Sequence, residues 1–457
     1  MDTQSETAAQ FPSSVAHTKR FMERWLADGG FRQDCLTLPM TPPLQADPAR
    51  LRPLYDPAPA AVAESPSEEV TAYRNFMQWR ALRRQQVVEL GTPSEPRFAA
   101  WRERQRRRVL WELGAARTEL LVHAPACFEL SLGCTVKCWF CGVGAEPFGG
   151  NLAYDQAGAA LWRGVLQALG EVCGPALAQA SCYWATDPLD NPDYEKFLLD
   201  FHALLGQWPP TSTAIALRDV ERTRALLQLS REKGGRVDRF SVLSRTQFER
   251  ILAEFSPEEL LHVELFPQFN EQVAPKIVSG GSRVRALRLY KEKGTPLPAD
   301  LEDAGSIACI TGFLVNLVER SVQLISPCSA NAKWPLGFIR FAQFRFQDLT
   351  ELKARLDQAL DAHMPLTVSL TMPVRFHPFF QVEYTDRGFA LRSRYYVLGF
   401  DQFTFGAELG RRIASGTCSA GELAEARYHE HGIDPVQTLC DLNLLFNQGV
   451  LSEEFST

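Results

Sequence analysis

The chain has 457 residues, of which 45% are hydrophobic and 22% charged, and its 48 basic and 54 acidic side chains give a formal net charge of −6. This composition excludes a small disulfide-stapled peptide and a disordered chain, and the length predicts two or three folded domains. The acidic balance argues against a general affinity for nucleic acid or anionic lipid. No apolar run reaches the ~20 residues that span a bilayer, and the start lacks the pattern of an export signal. We therefore expect a cytoplasmic protein that binds neither nucleic acid nor membranes.

Residues 1–121 are predicted to form a helical region with a proline-rich connector. Apolar spacing predicts a helix at 17–26, and the prolines over 39–66 predict an extended connector. A second helical stretch over 68–121, with a break near 91–96, carries a run of arginines: Arg102, Arg104, Arg106, Arg107 and Arg108. We interpret this run as a solvated helix face or, alternatively, as a docking face for an acidic peptide.

Residues 122–366 alternate predicted strands and helices. Strands are expected at 127–131, 181–186, 211–217, 237–243 and 261–266, and helices at 192–205, 219–233 and 247–255. Two adjacent strands at 307–316 and 321–326 and a helix at 348–363 follow. Strands separated by helices of this length favour a parallel sheet, open or closed into a barrel, with its site at the carboxyl ends of the strands. The predicted fold class is α/β.

Residues 367–457 are predicted to form a small winged-helix-like module. Strands are expected at 379–384 and 389–396, and helices at 403–414, 420–429 and 435–447. The last helix contains no Lys or Arg, which argues against a DNA-binding winged helix. A peptide-binding module and a plain structural cap stay open as alternatives.

The strongest chemical signal is the C-x3-C-x2-C set formed by Cys134, Cys138 and Cys141, directly after a predicted strand. Three thiolates on one short loop can bind three irons of a cubane cluster and leave the fourth iron free to bind a small molecule. The alternative is a zinc site, for which Cys127 or His123 could supply the fourth ligand. The spacing and the strand-to-loop placement favour the iron-sulfur cluster.

This loop resembles that of the radical S-adenosylmethionine (SAM) superfamily, where an aromatic residue, here Phe140, precedes the third cysteine. The resemblance implies a partial (β/α)6 barrel over 122–366 and a 4Fe-4S cluster on Cys134, Cys138 and Cys141. It also implies that SAM chelates the open iron. One-electron reduction, by a partner such as flavodoxin or ferredoxin, would then cleave SAM to methionine and a 5'-deoxyadenosyl radical.

The glycine-rich segment that the superfamily places after its second strand is absent, and TDPLDNPDY (186–194) stands there instead. Thr186 and Asp187 have the polarity to accept hydrogen bonds from the SAM ammonium group. Alternatively, Asp187 only forms a turn and an N-cap. Ser241 and Gln268, at the ends of later strands, are candidates for the SAM carboxylate or ribose, or for ordinary strand-end hydrogen bonds.

Longer stretches resemble the radical SAM peptide epimerases of the proteusin type, which convert L-residues to D-residues in ribosomally made precursor peptides. These stretches include ELSLGCTVKCWFCGVGA, DRFSVLS and LISPCSANAKWPLGF. The resemblance implies an isomerase whose partner is a precursor peptide with a leader and a core. The C-terminal region is similar to the small winged-helix domains that bind such leaders.

Inversion of a Cα centre requires hydrogen abstraction from one face and hydrogen return to the other. An O–H bond is too strong to donate to a stabilised Cα radical, whereas a thiol S–H bond is weak enough. Cys328, which follows a predicted strand and lies beside Ser326 and Ser329, is the predicted catalytic donor. The alternatives for Cys328 are a buried core thiol and a ligand of an auxiliary cluster. For the whole protein, the alternative functions are crosslinking, C–H functionalisation and non-catalytic iron-sulfur peptide binding.

Overall fold

The computed structural model describes residues 11–37, 47–56, 66–138, 140–269, 279–296 and 304–454. Over these residues the chain is a mixed α/β protein in which helices cover several small sheets. This confirms the expected α/β class. None of the helices in these ranges combines the length and the apolar character that crossing a membrane requires.

Among the described residues, six helices precede the first strand. They are α1 (Ser13–Ala27), α2 (Gly29–Thr37), α3 (Pro48–Tyr55), α4 (Glu68–Leu90), α5 (Pro96–Leu113) and α6 (Ala115–Thr118). The predicted break near 91–96 is confirmed because α4 ends and α5 starts there, with proline in the first turn of α5, where a missing N–H costs no hydrogen bond. The expected extended connector contains the helix α3, and its parts at 39–46 and 57–65 lie outside the described residues.

Three arginines of the run on α5 are buried, so both interpretations of that run are wrong for them. Arg102, Arg104 and Arg108 are each at most 2% exposed. Arg102 donates two hydrogen bonds to one backbone carbonyl, Arg104 pairs with Glu453 at 2.7 Å and Arg108 pairs with Glu112 at 2.8 Å. Charges taken out of water need such partners. The contacts of Arg102 and Arg104 join α5 to the rest of the fold, whereas the pair of Arg108 with Glu112 lies within α5.

Residues 124–363 alternate strands and helices. The strands are β1 (Ala124–Glu129), β2 (Ser131–Leu132), β3 (Gly150–Asn151), β4 (Ser212–Thr213), β5 (Asp238–Val242), β6 (Val263–Pro267), β7 (Ile310–Asn316), β8 (Ser321–Pro327) and β9 (Phe338–Arg345). The α-helices are α7 (Gln156–Cys173), α8 (Tyr194–Leu205), α9 (Val220–Glu232), α10 (Arg245–Glu254), α11 (Gly280–Lys293) and α12 (Leu349–His363). The strand β9 is not predicted from the sequence.

The strands form separate sheets. One has the order β1-β7-β8-β9, with β1 parallel to β7 and the other pairs antiparallel. A second sheet pairs β4, β5 and β6 in parallel. A single bridge joins Cys127 of β1 to Ser181, so the strand predicted at 181–186 is reduced to one paired residue. Among the described strands, no sheet closes on itself.

The larger sheet is buried on both faces. Its helix-covered face packs against α5, α7 and α12 in a large hydrophobic cluster that includes Phe128 and Phe313. The opposite face, which we call the interior face, carries a smaller cluster that includes Cys127, Leu314 and Ile325. Neighbouring residues of a strand point to opposite faces, so Phe128 lies on the helix-covered face and Cys127 on the interior face.

The C-terminal region contains β10 (Gln381–Tyr384), β11 (Phe389–Arg392), β12 (Val397–Phe400), α13 (Gly406–Ser415), α14 (Ala420–His431) and α15 (Pro435–Asn447). The three strands form an antiparallel sheet in sequence order. Its own hydrophobic cluster includes Phe389, Leu409 and Leu442, and Trp111 of α5 packs against that cluster. The strands β10 and β11 and the three helices of this region lie close to their predicted positions, whereas β12 lies beyond the strand predicted at 389–396 and is not predicted from the sequence.

Candidate metal centre

The three cysteines of the motif lie on a loop that leaves the carboxyl end of β1. We call residues 134–144 the cysteine loop. Its base is closed because the Cys134 N–H donates to the Glu146 carbonyl at 3.0 Å. Gly133 has a φ of +67°, and a Cβ added there would lie 2.3 Å from the Pro147 carbonyl oxygen, so this turn requires glycine. The predicted strand-to-loop placement of the motif is confirmed.

Backbone N–H groups are directed at two of the three thiols. Val136 donates to Cys134 Sγ at 3.4 Å, and Ala145 donates to Cys141 Sγ at 3.3 Å. Burial raises the pKa of Cys138 to about 12, and the negative charges of Cys141 and Cys134 act in the same direction. Three thiolates on this loop therefore repel one another until a bound cation compensates their charge.

In this structure the Sγ atoms of the three motif cysteines do not all lie within 4.8 Å of one another. Among the described residues, the group of ligand atoms that all lie within 4.8 Å of one another is Glu408, Glu430 and His431, in the C-terminal region. A tetrahedral zinc ion would hold its sulfur ligands roughly 3.8 Å apart, given Zn–S bonds of ~2.3 Å. In a cubane each thiolate binds a different iron, which spaces the sulfurs more widely. The three thiols of the cysteine loop are therefore not at the mutual spacing of ligands to one zinc ion in this metal-free structure.

The two residues considered as a fourth zinc ligand have other partners. Cys127 Sγ donates to the Tyr183 carbonyl at 2.9 Å and accepts from Ser181 Oγ at 3.2 Å. His123 Nδ1 bonds to Thr311 Oγ1 at 2.8 Å, and both residues are buried. His123 Nε2 is buried without a hydrogen-bond partner, but neither residue joins the motif cysteines in a metal-binding group of the described residues.

Asp190 fixes the start of the cysteine loop. Its carboxylate accepts from the Thr135 N–H at 2.9 Å and from Thr135 Oγ1 at 2.6 Å, and Arg218 Nη1 donates to it at 2.8 Å. The Asp190 side chain is 0% exposed, whereas Arg218 is half exposed. Sequence reasoning did not identify Thr135, Asp190 or Arg218 as site residues. The available signal was that Asp190 lies within the polar TDPLDNPDY segment.

Asp187 lies next to the loop but uses its carboxylate for local structure. Oδ1 accepts from the Leu189 N–H at 3.1 Å and from Thr213 Oγ1 at 2.8 Å, and Oδ2 accepts from the Ala214 N–H at 2.7 Å. This is the N-cap and turn role that the sequence left open. Burial raises the pKa of the Cys134 thiol, the Val136 N–H opposes this shift, and the charge of the nearby Asp187 carboxylate adds to it. The predicted contact between the Asp187 carboxylate and SAM stays a prediction.

The other predicted SAM-contacting residues are partly buried. Ser241 lies in β5, and Gln268 follows β6, where its N–H donates to the Val242 carbonyl at 2.8 Å. These two residues therefore share the carboxyl edge of adjacent parallel strands, as the predicted topology requires. Thr186 directly precedes the N-cap residue Asp187, and Phe140 lies in the cysteine loop itself.

Cys328 directly follows β8 and is 2% exposed. Its N–H donates to the Gly337 carbonyl at 2.9 Å. The side chain belongs to the cluster on the helix-covered face, whereas Cys127 belongs to the cluster on the interior face. Burial raises the pKa of Cys328, and the Glu112 carboxylate adds to that effect, so the group stays a thiol. The protonated thiol suits a hydrogen donor, which needs an S–H bond. The location of Cys328 on the helix-covered face was not predicted from the sequence.

Arg108 and Glu112 of α5 hold the chain on both sides of Cys328. Arg108 Nη2 donates to Ser326 Oγ at 2.9 Å, and Glu112 Oε1 accepts from the Ser329 N–H at 2.9 Å. Burial raises the pKa of Glu112, and the Arg108 guanidinium opposes this shift. Neither residue is predicted as part of the site, because their contacts join segments more than 200 residues apart in the chain.

Comparison with known proteins gives one extensive similarity. The chain is 36% identical over 460 residues to the uncharacterized protein y4wI of Sinorhizobium fredii (strain NBRC 101917 / NGR234). The similarity covers 96% of this chain and 88% of that relative. No family model matches the chain, and no solved structure matches it.

Proposed function

We propose that this chain, which belongs to the same family as the uncharacterized protein y4wI, is a radical SAM enzyme that epimerises L-residues to D-residues in a ribosomally made precursor peptide. The observation that carries the proposal is the cysteine loop at the carboxyl end of β1. Its three thiols lie on one short loop, and backbone N–H groups are directed at Cys134 and Cys141.

The donor set fits a 4Fe-4S cluster with one open iron. Cys134, Cys138 and Cys141 would hold three irons, because thiolates are the usual ligands of such clusters. With SAM on the open iron, the bound group supplies the one-electron cleavage that starts radical chemistry at a Cα–H bond. The carboxyl edges of β5 and β6 would present Ser241 and Gln268 to SAM, and Thr186 and Asp187 would lie beside its methionine part.

The fold is consistent with a partial (β/α)6 barrel. The parallel pairs β1 with Ser181, β4 with β5 and β5 with β6 alternate along the chain with the helices α7 to α10. Polar side chains at carboxyl edges of this kind of sheet converge on one site. An open barrel would leave room for a peptide substrate.

Return of a hydrogen atom from Cys328 would complete the epimerisation. The raised pKa of Cys328 supports this role, since it keeps the S–H bond that the step consumes. The position of Cys328 on the helix-covered face favours the second candidate, a crosslinking or C–H functionalising radical SAM reaction that needs no donor thiol. The leader would bind the exposed edge strand β10 by strand addition.

The test begins with anaerobic reconstitution and the measurement of iron, sulfide, zinc and 5'-deoxyadenosine. A cluster and SAM cleavage are expected; a zinc-loaded or iron-free protein would refute the proposal. A precursor encoded near the gene is then treated in heavy water. Epimerisation adds one deuterium at Cα, whereas a crosslink lowers the mass by two hydrogens.

Cysteine variants separate the roles of the thiols. Cys328→Ala should cleave SAM but give no D-residue, and Cys440→Ala, which changes an exposed cysteine, is the matched control. Cys127→Ala tests the thiol on the interior face. If Cys328→Ala still produces D-residues and Cys127→Ala does not, the donor is Cys127 and the assignment of Cys328 is wrong.

A further inference from the structure

The amino end of α11 docks directly on the third cysteine of the motif. The Gly281 N–H donates to the Cys141 carbonyl at 3.1 Å, and the Gly280 N–H donates to the Pro335 carbonyl at 2.9 Å. The amino end of a helix carries a partial positive charge that favours a neighbouring negative group. This helix has 14 residues, and its first turn lies beside Cys141.

The backbones of α11 and the cysteine loop approach each other at two glycines. A Cβ added at Gly280 would lie 1.9 Å from the Gly142 carbonyl oxygen. A Cβ added at Gly142 would lie 2.2 Å from Ile307 Cδ1. The residue after Cys141 thus lies between the helix end and Ile307. A side chain at Gly280 would meet the loop backbone and push the loop away, whereas one at Gly142 would first displace the Ile307 side chain.

Ser279, the N-cap residue of α11, has a hydroxyl with no protein partner among the described residues. Ser279 is 0% exposed, makes no capping hydrogen bond, and its Oγ is buried without an acceptor or donor. The Oγ lies 3.7 Å from the position that a Cβ at Gly142 would take, so it faces the cysteine loop. An unsatisfied buried hydroxyl costs free energy, which a group bound at the loop would recover by accepting its hydrogen bond.

We propose that Ser279 and the amino end of α11 form the electropositive wall of the metal centre at Cys141 and raise the reduction potential of the cluster. This inference rests on the proposed function. Reduction adds negative charge to the cluster, so an O–H donor and a positive helix end stabilise the reduced state more than the oxidised state. Ser279 would tune the cluster by donating a hydrogen bond from its hydroxyl to the bound group.

A pair of N-cap serines gives a matched test. Ser244 caps α10 through a hydrogen bond from the Gln247 N–H, whereas Ser279 makes no such bond. In the cluster-free protein, Ser244→Ala should lower the melting temperature and Ser279→Ala should not. In the reconstituted protein, Ser279→Ala should move the midpoint potential to a more negative value, measured by dye-mediated titration with EPR detection, and Ser244→Ala should not. Equal potentials for wild type and Ser279→Ala would overturn the inference.

Two glycines of the same helix give a second test. Gly280 and Gly294 both have positive φ, of +66° and +62°, but a Cβ at Gly294 meets nothing within 4 Å. Gly280→Ala should therefore lose most of the bound iron per chain, whereas Gly294→Ala should keep it. Unchanged iron in Gly280→Ala would contradict the inference, while a wild-type protein that takes up no cluster would refute the proposed function itself.

Discussion

Removal of the Asp190 carboxylate should release the start of the cysteine loop. In Asp190→Ala, Thr135 loses two hydrogen bonds, from its N–H at 2.9 Å and its hydroxyl at 2.6 Å, and Arg218 loses its ion pair. A hydrogen bond to a charged group contributes about 1.5 to 3 kcal/mol, so the two Thr135 contacts together contribute about 3 to 6 kcal/mol. The Arg218 pair adds less than about 1 kcal/mol because that side chain is half exposed.

Water can replace part of these contacts once the loop opens, so we expect the lower end of the range. The free energy of opening the loop should fall by about 3 kcal/mol. Hydrogen exchange of the Thr135 amide should then accelerate roughly 100-fold, since each ~1.4 kcal/mol is a factor of ten. Iron and sulfide bound per chain after anaerobic reconstitution should fall in parallel, because Cys134 is no longer held in place.

Asp193→Ala is the matched control for this experiment. Asp193 lies in the same segment and also accepts from a backbone N–H, that of Tyr154 at 2.9 Å, but it does not contact the cysteine loop. Its removal should leave iron binding unchanged. The reasoning is refuted if Asp190→Ala exchanges the Thr135 amide at the wild-type rate, or if both variants lose iron equally.

Three further predictions concern stability. Glu453→Gln leaves the buried Arg104 guanidinium without a counter-charge. Urea titrations should show the free energy of unfolding lowered by about 3 to 5 kcal/mol. A loss below about 1 kcal/mol would contradict the burial of this pair. Trp162→Ala removes a fully buried ring and the hydrogen bond that its Nε1 donates, and should cost about 3 to 5 kcal/mol by the same measurement, compared with an exposed control, Tyr428→Ala. Burial raises the pKa of Asp238 from an ordinary 3.8 to about 7, so the folded state keeps a proton that the unfolded state has released. The free energy of unfolding should therefore fall as the pH rises between these two pKa values. Measured by urea titration, its decrease from pH 5 to pH 8 should be smaller for Asp238→Asn than for wild type.

Long, strongly patterned elements were predictable because their sequences carry the signal locally. The helices of the C-terminal region, the break between α4 and α5, and the paired strands β7 and β8 lie close to their predicted positions. Prediction failed where pairing partners decide the structure. The strand expected at 181–186 keeps one paired residue at Ser181, and β9 forms because its backbone pairs with β8.

The arginine run shows the same limit for side chains. A run of charges on a helix usually indicates a solvated face, and the sequence offers no sign that Arg104 and Arg108 are buried. Their partners Glu453 and Glu112 make burial possible, and Glu453 is 349 residues away in the chain. Likewise, Asp190 and Ser279 join the candidate centre only because the fold brings their segments to the cysteine loop.

The α/β class and the three cysteines on one short loop after a strand could be predicted from the amino-acid sequence, because spacing along the chain fixes which thiols can share a loop. The folded structure was needed to show that Asp190 anchors this loop, that the amino end of α11 lies against Cys141, and that Cys328 lies on the helix-covered face. These features depend on burial, on charge pairing and on the face that a side chain occupies. All three come from contacts between distant segments, which local patterns do not encode.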